Sequence, residues 1–288
     1  MIHGYDMYRI LIAGCGDIGA ALGTRLLADG HAVWGLRRSA AALPAGMHAL
    51  RMDLTNPAAL DELPEGFDAV FYIVTPDAYD DAAYASAFVR GTENLLRALS
   101  SRGAWPGRLI FVSSTSVYGQ SQGEWLDETS AADPRSFAGM RLLQGEEAVL
   151  GGPVAGTVVR FGGIYGRGDG RLVSRVRDRS PCQEAPPLYT NRIHRDDCVS
   201  VLHHLLHLDS PQQIYLGVDS EPAPQCAVMD WISAELGLPP QPRTAVADNR
   251  GKGGKRCRNA RLLASGYRFL YPNYRDGYGV VLKAARAP

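Results

Sequence analysis

Long apolar runs are missing. No stretch of the 288-residue chain approaches the roughly 20 residues that cross a bilayer, so no membrane partner is expected. An excess of either charge is missing too. Lys plus Arg number 30 and Asp plus Glu number 30, giving a formal net charge of zero. That argues against a nucleic-acid or anionic-membrane binder, since both need a basic excess. The five cysteines, Cys15, Cys182, Cys198, Cys226 and Cys257, are scattered and lack CxxC spacing. Reduced thiols in a cytoplasmic protein are expected, not a disulfide framework or a zinc site. There is no internal repeat, and Met1 to Arg9, with His3 and Asp6, has no apolar signal core, so no export signal is expected. What is there is ordinary globular composition, 45% hydrophobic and 21% charged, enough for one large domain or two intimate ones.

The first half alternates short apolar runs with helix-like stretches. Strands are expected at Arg9–Ala13, His31–Leu36, Leu50–Asp53, Ala69–Val74, Leu109–Val112 and Thr157–Phe161, with helices over Ile18–Ala28 and Phe88–Arg102. That rhythm predicts an α/β, Rossmann-type doubly wound parallel sheet, covered on both faces because its strands are continuously apolar. After Gly166 the strand signals shorten and Gly, Pro and Arg become frequent. The expected division is a dinucleotide-binding domain over 7–166, with 191–208 packing back on it, and a smaller C-terminal substrate lobe over 167–288. Helices are expected in that lobe over Asp196–Leu208, Val228–Leu236 and Gly277–Ala285.

Gly14-Cys15-Gly16-Asp17-Ile18-Gly19 is GxGxxG, placed after a strand and at the opening of a helix. In that context Gly14 allows the tight turn, Gly16 lets a pyrophosphate approach the backbone, and Gly19 lets helix and strand pack. The helix N-terminus then offers its N–H groups to the phosphates. An NAD site wants a carboxylate where the second strand ends. Arg37 and Arg38 stand there instead. Paired guanidinium groups suit a 2′-phosphate, so NADP is expected over NAD.

Further motifs are Asp53-Leu54, Val74-Thr75, Gly91-Thr92-Glu93-Asn94-Leu95-Leu96, Phe111-Val112-Ser113-Ser114-Thr115-Ser116-Val117-Tyr118-Gly119, Arg160-Phe161-Gly162-Gly163-Ile164-Tyr165-Gly166 and Ile193-His194-Arg195-Asp196-Asp197. Together they resemble the extended short-chain dehydrogenase/reductases, the group of nucleotide-sugar epimerases and dehydratases, over nearly the whole chain. The chain is closer still to an atypical NAD-dependent epimerase/dehydratase subgroup with GCGDxG, SSTSVYG, NRIHRDD and a tail like Asn259–Tyr267. The resemblance implies that Asp53 and Leu54 sit at the adenine, that Val74 and Thr75 lie over the cofactor, and that Phe161 and Gly162 pass the nicotinamide. It also implies a homodimer through the face that includes the Phe88–Arg102 helix.

The family's chemistry rests on a Tyr-x-x-x-Lys pair one helical turn apart. Here Phe137 stands at the tyrosine position and Arg141 at the lysine position. Phenylalanine has no proton to exchange. Arginine stays charged, so Arg141 can hold the nicotinamide ribose but cannot shuttle a proton. Ser114 keeps the hydroxyl that steadies a substrate oxygen. Three readings follow. Another group supplies the proton, Tyr118 first with Arg141 lowering its pKa, with Tyr165 and His194 behind it. Or hydride passes to an activated acceptor that needs no side-chain acid. Or the protein binds NADP and turns nothing over, as a sensor or scaffold. The leading expectation is an NADP-dependent oxidoreductase acting on a small or medium-sized carbonyl-like, anionic substrate. A nucleotide-sugar epimerase or dehydratase is the alternative.

Other polar clusters have plainer readings. His203 and His207 are one helical turn apart, with His204 between them, but no third ligand has suitable spacing, so no metal is expected. Asp196 and Asp197 suit a helix start. Arg250, Lys252, Lys255, Arg256, Arg258 and Arg261 form a basic stretch without interleaved aromatics, read as a solvated loop or an anion-holding flap and not as a nucleic-acid surface. Arg167 and Arg192 are expected near the substrate.

Overall fold

A computed structural model describes residues 7–39, 42–101, 105–168, 170–245 and 253–285. The first six residues lie outside these, as do Arg250 and Lys252 of the basic stretch. In chain order the elements are β1 (Arg9–Ala13), α1 (Asp17–Ala28), β2 (Ala32–Arg37), β3 (His48–Arg51), β4 (Ala69–Tyr72), α2 (Asp81–Tyr84), α3 (Gly91–Ser100), β5 (Arg108–Ser114), β6 (Gln122–Leu126), α4 (Phe137–Leu150), β7 (Gly156–Phe161) and β8 (Gly163–Tyr165). They continue with α5 (Gly170–Arg177), β9 (Cys182–Ala185), β10 (Tyr189–Thr190), β11 (Arg192–His194), α6 (Arg195–Leu206), β12 (Ile214–Gly217), β13 (Ala223–Pro224), α7 (Gln225–Glu235), β14 (Arg243–Ala245), β15 (Gly254–Cys257), α8 (Ala260–Ala264) and α9 (Tyr274–Ala284).

Seven strands form one sheet in the order β12-β7-β5-β4-β1-β2-β3. The pairs β1–β2, β1–β4, β2–β3 and β4–β5 are all parallel. Ile10, Leu11, Ile12, Val33, Val70, Phe71 and Phe111 are essentially sealed from solvent, as a sheet with both faces covered requires. Chain order reverses at β1, which lies between β2 and β4. That reversal is where open α/β sheets leave a crevice at the carboxyl ends of their strands. The expected doubly wound α/β architecture is therefore present.

The long helix expected over Phe88–Arg102 is built differently. A π-helical turn over Ala85–Arg90 joins α2 to α3, and α3 begins at Gly91. A Cβ on Gly91 would lie 2.4 Å from the Tyr72 hydroxyl. That hydroxyl donates to the Ala87 carbonyl at 2.5 Å. Close packing on β4, which periodicity does not report, thus coincides with the break in helical register.

The chain divides into two compact units: Met1–Tyr118, Pro134–Arg160 and Val199–Tyr215 form the first, and Gly119–Asp133, Phe161–Cys198 and Leu216–Pro288 the second. Residues 119–133 and 161–166, read from sequence with the dinucleotide-binding part, cluster with the second unit. That unit holds a four-stranded sheet in the order β13-β10-β15-β6 and its own core of Val173, Val176, Met229, Ile232, Tyr278 and Leu282. The same core contains a Cys182–Cys226 disulfide, which corrects the expectation that all five thiols are reduced. The two cysteines are 44 residues apart, and the fold brings their Cα atoms to 5.4 Å. Cys15, Cys198 and Cys257 are free and buried.

Candidate functional site

Gly14 turns the chain with φ +87, and a Cβ there would sit 2.3 Å from the Ile73 carbonyl oxygen. Only glycine fits both demands. The Gly14 and Cys15 amides both donate to the Leu36 carbonyl, at 3.0 and 2.9 Å, which locks the turn to β2. Gly16 faces open space, whereas a Cβ on Gly19 would lie 2.9 Å from Ile12 Cγ2. Gly16 is the N-cap of α1 and supplies no capping side chain, so first-turn N–H groups are left for a ligand. Asp17 and Ile18 are the first two residues of that helix.

A cavity of about 650 Å³ opens beside this turn, a size typical of small-molecule sites. Its lining includes Gly14, Gly16, Arg37, Arg38, Asp53, Leu54, Val74 and Thr75, so eight residues singled out in the sequence meet in one place. Arg37 donates through Nε to Ser39 Oγ at 2.9 Å. Arg38 forms a two-pronged pair with Asp77, with Nη1 to Oδ2 at 2.6 Å and Nη2 to Oδ1 closer still. Asp77 also lines the cavity, and the Arg38 guanidinium holds its carboxyl below the usual range. Asp53 accepts from the Thr55 amide and hydroxyl at 2.8 and 2.7 Å. Asn94 donates to the Leu54 carbonyl at 3.0 Å, which ties the GTENLL helix to the adenine end of the cavity expected from sequence. Cys15 lines the cavity too, but burial pushes its thiol up to about 11, with Arg37 opposing, so it is no nucleophile at neutral pH.

The expected catalytic residues sit in different surroundings. Ser136 caps α4 by accepting from the Gly139 amide at 3.2 Å. Phe137, at the head of that helix, packs against Tyr79 and Tyr84 with ring centroids 5.1 and 5.4 Å away. Arg141 is clamped by Asp81 through Nε and Nη2, at 2.8 and 2.9 Å, and reaches Gln144 at 3.0 Å. It is therefore not the cation over Tyr118, as the sequence reading expected. That cation is Arg160, which donates to the Tyr118 hydroxyl at 2.7 Å with its guanidinium carbon 4.9 Å from the ring centroid. Arg160 also pairs with Glu146 at 2.6 Å, and Glu146 accepts from Ser113 Oγ at 2.5 Å. All four side chains are buried, Tyr118 with 2% of its surface exposed. Ser114, next along, uses its Oγ to accept from the Ser116 amide at 3.2 Å.

Phe161 and Gly162 belong to the second unit. Phe161 is buried, and the Gly162 amide donates to the Gly217 carbonyl at 3.0 Å. In the same unit His194 is buried against Tyr165 and Tyr271, and burial pushes its pKa down. Asp197 accepts from the Tyr267 hydroxyl and from the Leu270 and Tyr271 amides at 2.7, 2.8 and 3.0 Å, which is a structural strap. Arg192, expected near an anionic substrate, is only 4% exposed, bonds Thr190 and lies over Tyr274. Arg256 is sandwiched between Trp125 and Tyr189 at 4.8 and 4.7 Å, and Arg258 lies over Trp125 at 4.8 Å. The aromatic interleaving that the basic stretch lacks in sequence is thus supplied by β6 and β10.

Sequence reasoning missed Asp77, Asp81, Glu146 and the role of Arg160. Each is defined by a partner distant along the chain, and no local pattern marks it. Among the described residues, no helix is long and apolar enough to cross a membrane.

Residues 10–215 match the sequence model of the NAD dependent epimerase/dehydratase family. A Streptomyces protein named 3-diazoavenalumate denitrifying reductase is 29% identical over 312 residues, covering 94% of this chain and 99% of that one. A solved structure from Methylobacillus flagellatus, described as of the NAD-dependent epimerase/dehydratase kind, superposes with a TM-score of 0.78 at 36% identity, over 98% of this chain and 100% of that one. Bordetella bronchiseptica WbmG, solved in complex with NAD, superposes with a TM-score of 0.80 at 17% identity, over 99% and 97% of the two chains.

Proposed function

The chain belongs to the NAD-dependent epimerase/dehydratase family, and on that premise we propose that it is an NADP-dependent oxidoreductase acting on a small or medium-sized, electron-poor acceptor. The observation that carries this reading is one cavity that joins the Gly14–Gly16 turn to Arg37 and Arg38. The backbone at Gly14 and Gly16 and the first turn of α1 would hold a pyrophosphate. Arg37 and Arg38 would hold a 2′-phosphate by charge-assisted, forked bonds. Asp53 and Leu54 would border the adenosine, and Val74 and Thr75 the far side. The Arg38–Asp77 pair is largely exposed, at 54% and 67%. A pair this exposed holds together by only about 0–1 kcal/mol, so a dianionic phosphate can take the carboxylate's place. When bound, such a dinucleotide supplies hydride-transfer chemistry.

The surroundings of Phe137 support an acceptor that needs no side-chain acid. Phe137 brings a ring packed on Tyr79 and Tyr84 and no exchangeable proton. The Tyr118 hydroxyl is occupied inside the Arg160–Glu146 network. Ser114 is left to orient the substrate, and Arg141 to supply a fixed charge once it leaves Asp81. A conjugated or iminium carbon fits these terms, as does the terminal nitrogen of a diazo group, where hydride addition gives a diazene that leaves as N2; the reductase relative is named for a diazo compound. The epimerase and dehydratase reactions begin by taking a hydroxyl proton, which Phe137 cannot do.

Calorimetric titration of the protein with NADPH, NADP, NADH and NAD tests the cofactor. The phosphorylated forms are expected to bind at least tenfold tighter, about 1.4 kcal/mol. Equal binding of all four removes the NADP assignment, and no binding removes the enzyme reading. NADPH oxidation with a panel of activated acceptors then separates an oxidoreductase from a binder that turns nothing over.

A further inference from the structure

A second polar cluster lies at the opposite end of the sheet from the cavity. The helix α1 ends at Ala28, with Asp29 as its C-cap. Gly30 then turns the chain with φ +89, and His31 leads into β2. His203 stands in the last turn of α6 and His207 just beyond its end. His203 Nε2 and Asp29 Oδ2 are 2.5 Å apart. The His203 and His207 ring centroids lie 4.6 Å apart, with the rings tilted by 39°. One ligand atom from each of Asp29, His203 and His207 falls within 4.8 Å of the other two. The third ligand missing from the sequence pattern is thus Asp29, 174 residues from His203.

We propose that Asp29, His203 and His207 form a structural binding site for a zinc-class divalent cation, distinct from the cofactor cavity. The donor set is two imidazoles and one carboxylate, which suits zinc in tetrahedral geometry with a water in the fourth place. At zinc bond lengths of about 2.0–2.2 Å, tetrahedral donors stand roughly 3.3 Å apart, a spacing that small side-chain rotations reach from the arrangement here. The ion takes the place of the proton shared by His203 and Asp29. His207 Nδ1 lies 2.9 Å from the His203 carbonyl oxygen. That bond places the proton on Nδ1 and makes Nε2 the nitrogen able to ligate a metal, the usual orientation of a ligating histidine.

Two further observations point to a cation. Both α1 and α6 end at this cluster, so two helix C-termini, each carrying partial negative charge, converge on a carboxylate that no helix end of that polarity favours. His31, stacked on His207 at 5.9 Å, is 3% exposed. Its Nδ1 accepts from the Tyr8 amide at 3.3 Å, which places the proton on Nε2. That Nε2 is buried with no hydrogen-bond partner, and the oxygen of a metal-bound water or hydroxide would be an acceptor for it. The site pins the end of the helix that begins at the glycine turn.

The test uses the full chain, stripped of metal with a chelator and titrated with zinc by calorimetry and with cobalt(II) by visible absorption. One equivalent of zinc is expected, together with the intense visible bands of tetrahedral cobalt. In a His203→Ala, His207→Ala variant the affinity should fall at least a hundredfold and the bands should vanish. His204→Ala should keep both. Zinc affinity that survives in the double variant overturns the proposal. So does wild-type protein that takes up no zinc or gives only the weak spectrum of octahedral cobalt, whether or not any variant folds.

Discussion

Replacing Arg38 by alanine isolates the contact on which the cofactor assignment turns. In the wild-type protein its guanidinium is held by Asp77, and both side chains are more than half exposed. An exposed pair is worth about 0–1 kcal/mol. A forked, charge-assisted contact to a 2′-phosphate is worth about 1.5–3 kcal/mol. Binding NADPH exchanges the first for the second, so the net contribution is about 0.5–3 kcal/mol, roughly 2- to 150-fold in affinity. Arg38→Ala should weaken NADPH by that factor and leave NADH within about twofold. The converse change, Asp77→Asn, frees the guanidinium in advance and should tighten NADPH by up to about fivefold, again without effect on NADH. Fluorescence titration of both nucleotides against both variants measures this directly. If Arg38→Ala weakens NADPH and NADH equally, or Asp77→Asn weakens NADPH, the arginine does not read the phosphate and the reasoning fails.

Three other changes have defined outcomes. Glu146→Ala strands the buried Arg160 charge and should destabilise the fold by about 3–5 kcal/mol, seen as a lower denaturation midpoint. Gly14→Ala, forced to φ +87 against the Ile73 carbonyl, should abolish nucleotide binding, and a variant that still binds would dissociate the turn from the site. Asp219 is buried, which pushes its carboxyl up to about 7 against the opposing pull of Arg192. The folded protein therefore keeps a proton that the unfolded chain releases near 4. Between those values the folded state loses stability as pH rises. Asp219→Asn should thus gain over wild type in melting temperature from pH 5 to pH 8, and a gap that shrinks over that range contradicts the assignment.

The parts legible in the sequence are those written locally. The strand before Gly14, the glycine turn, and Arg37 and Arg38 at the end of β2 are contiguous, so periodicity and turn chemistry located them. The π turn was not legible, because one surplus residue shifts the apolar register at a single point, and over so few turns that shift looks like ordinary irregularity in a helix face. Nor were the partners of the charged residues. The motif position of Arg141 points to Tyr118, yet Asp81, 60 residues before Arg141, holds it, and Arg160, 42 residues past Tyr118, takes its place. The Cys182–Cys226 bond and the Asp29–His203 contact are of the same kind. Each depends on which loops the topology brings together, and spacing along one strand or helix says nothing of that.

The π-helical turn over Ala85–Arg90 also bears on how this chain tolerates insertion and deletion. Such a turn amounts to an α-helix that has accepted one surplus residue, and here Ser86 and Ala87 of that turn border the cavity. Taking one residue out of the segment restores ordinary α winding and rotates everything upstream by about 100° relative to α3. Tyr84 would then swing away from Phe137, and the Ala87 carbonyl away from Tyr72. A single-codon deletion in this stretch would therefore reshape the wall of the pocket while leaving the sheet intact, giving a short genetic route by which a relative could acquire a different substrate.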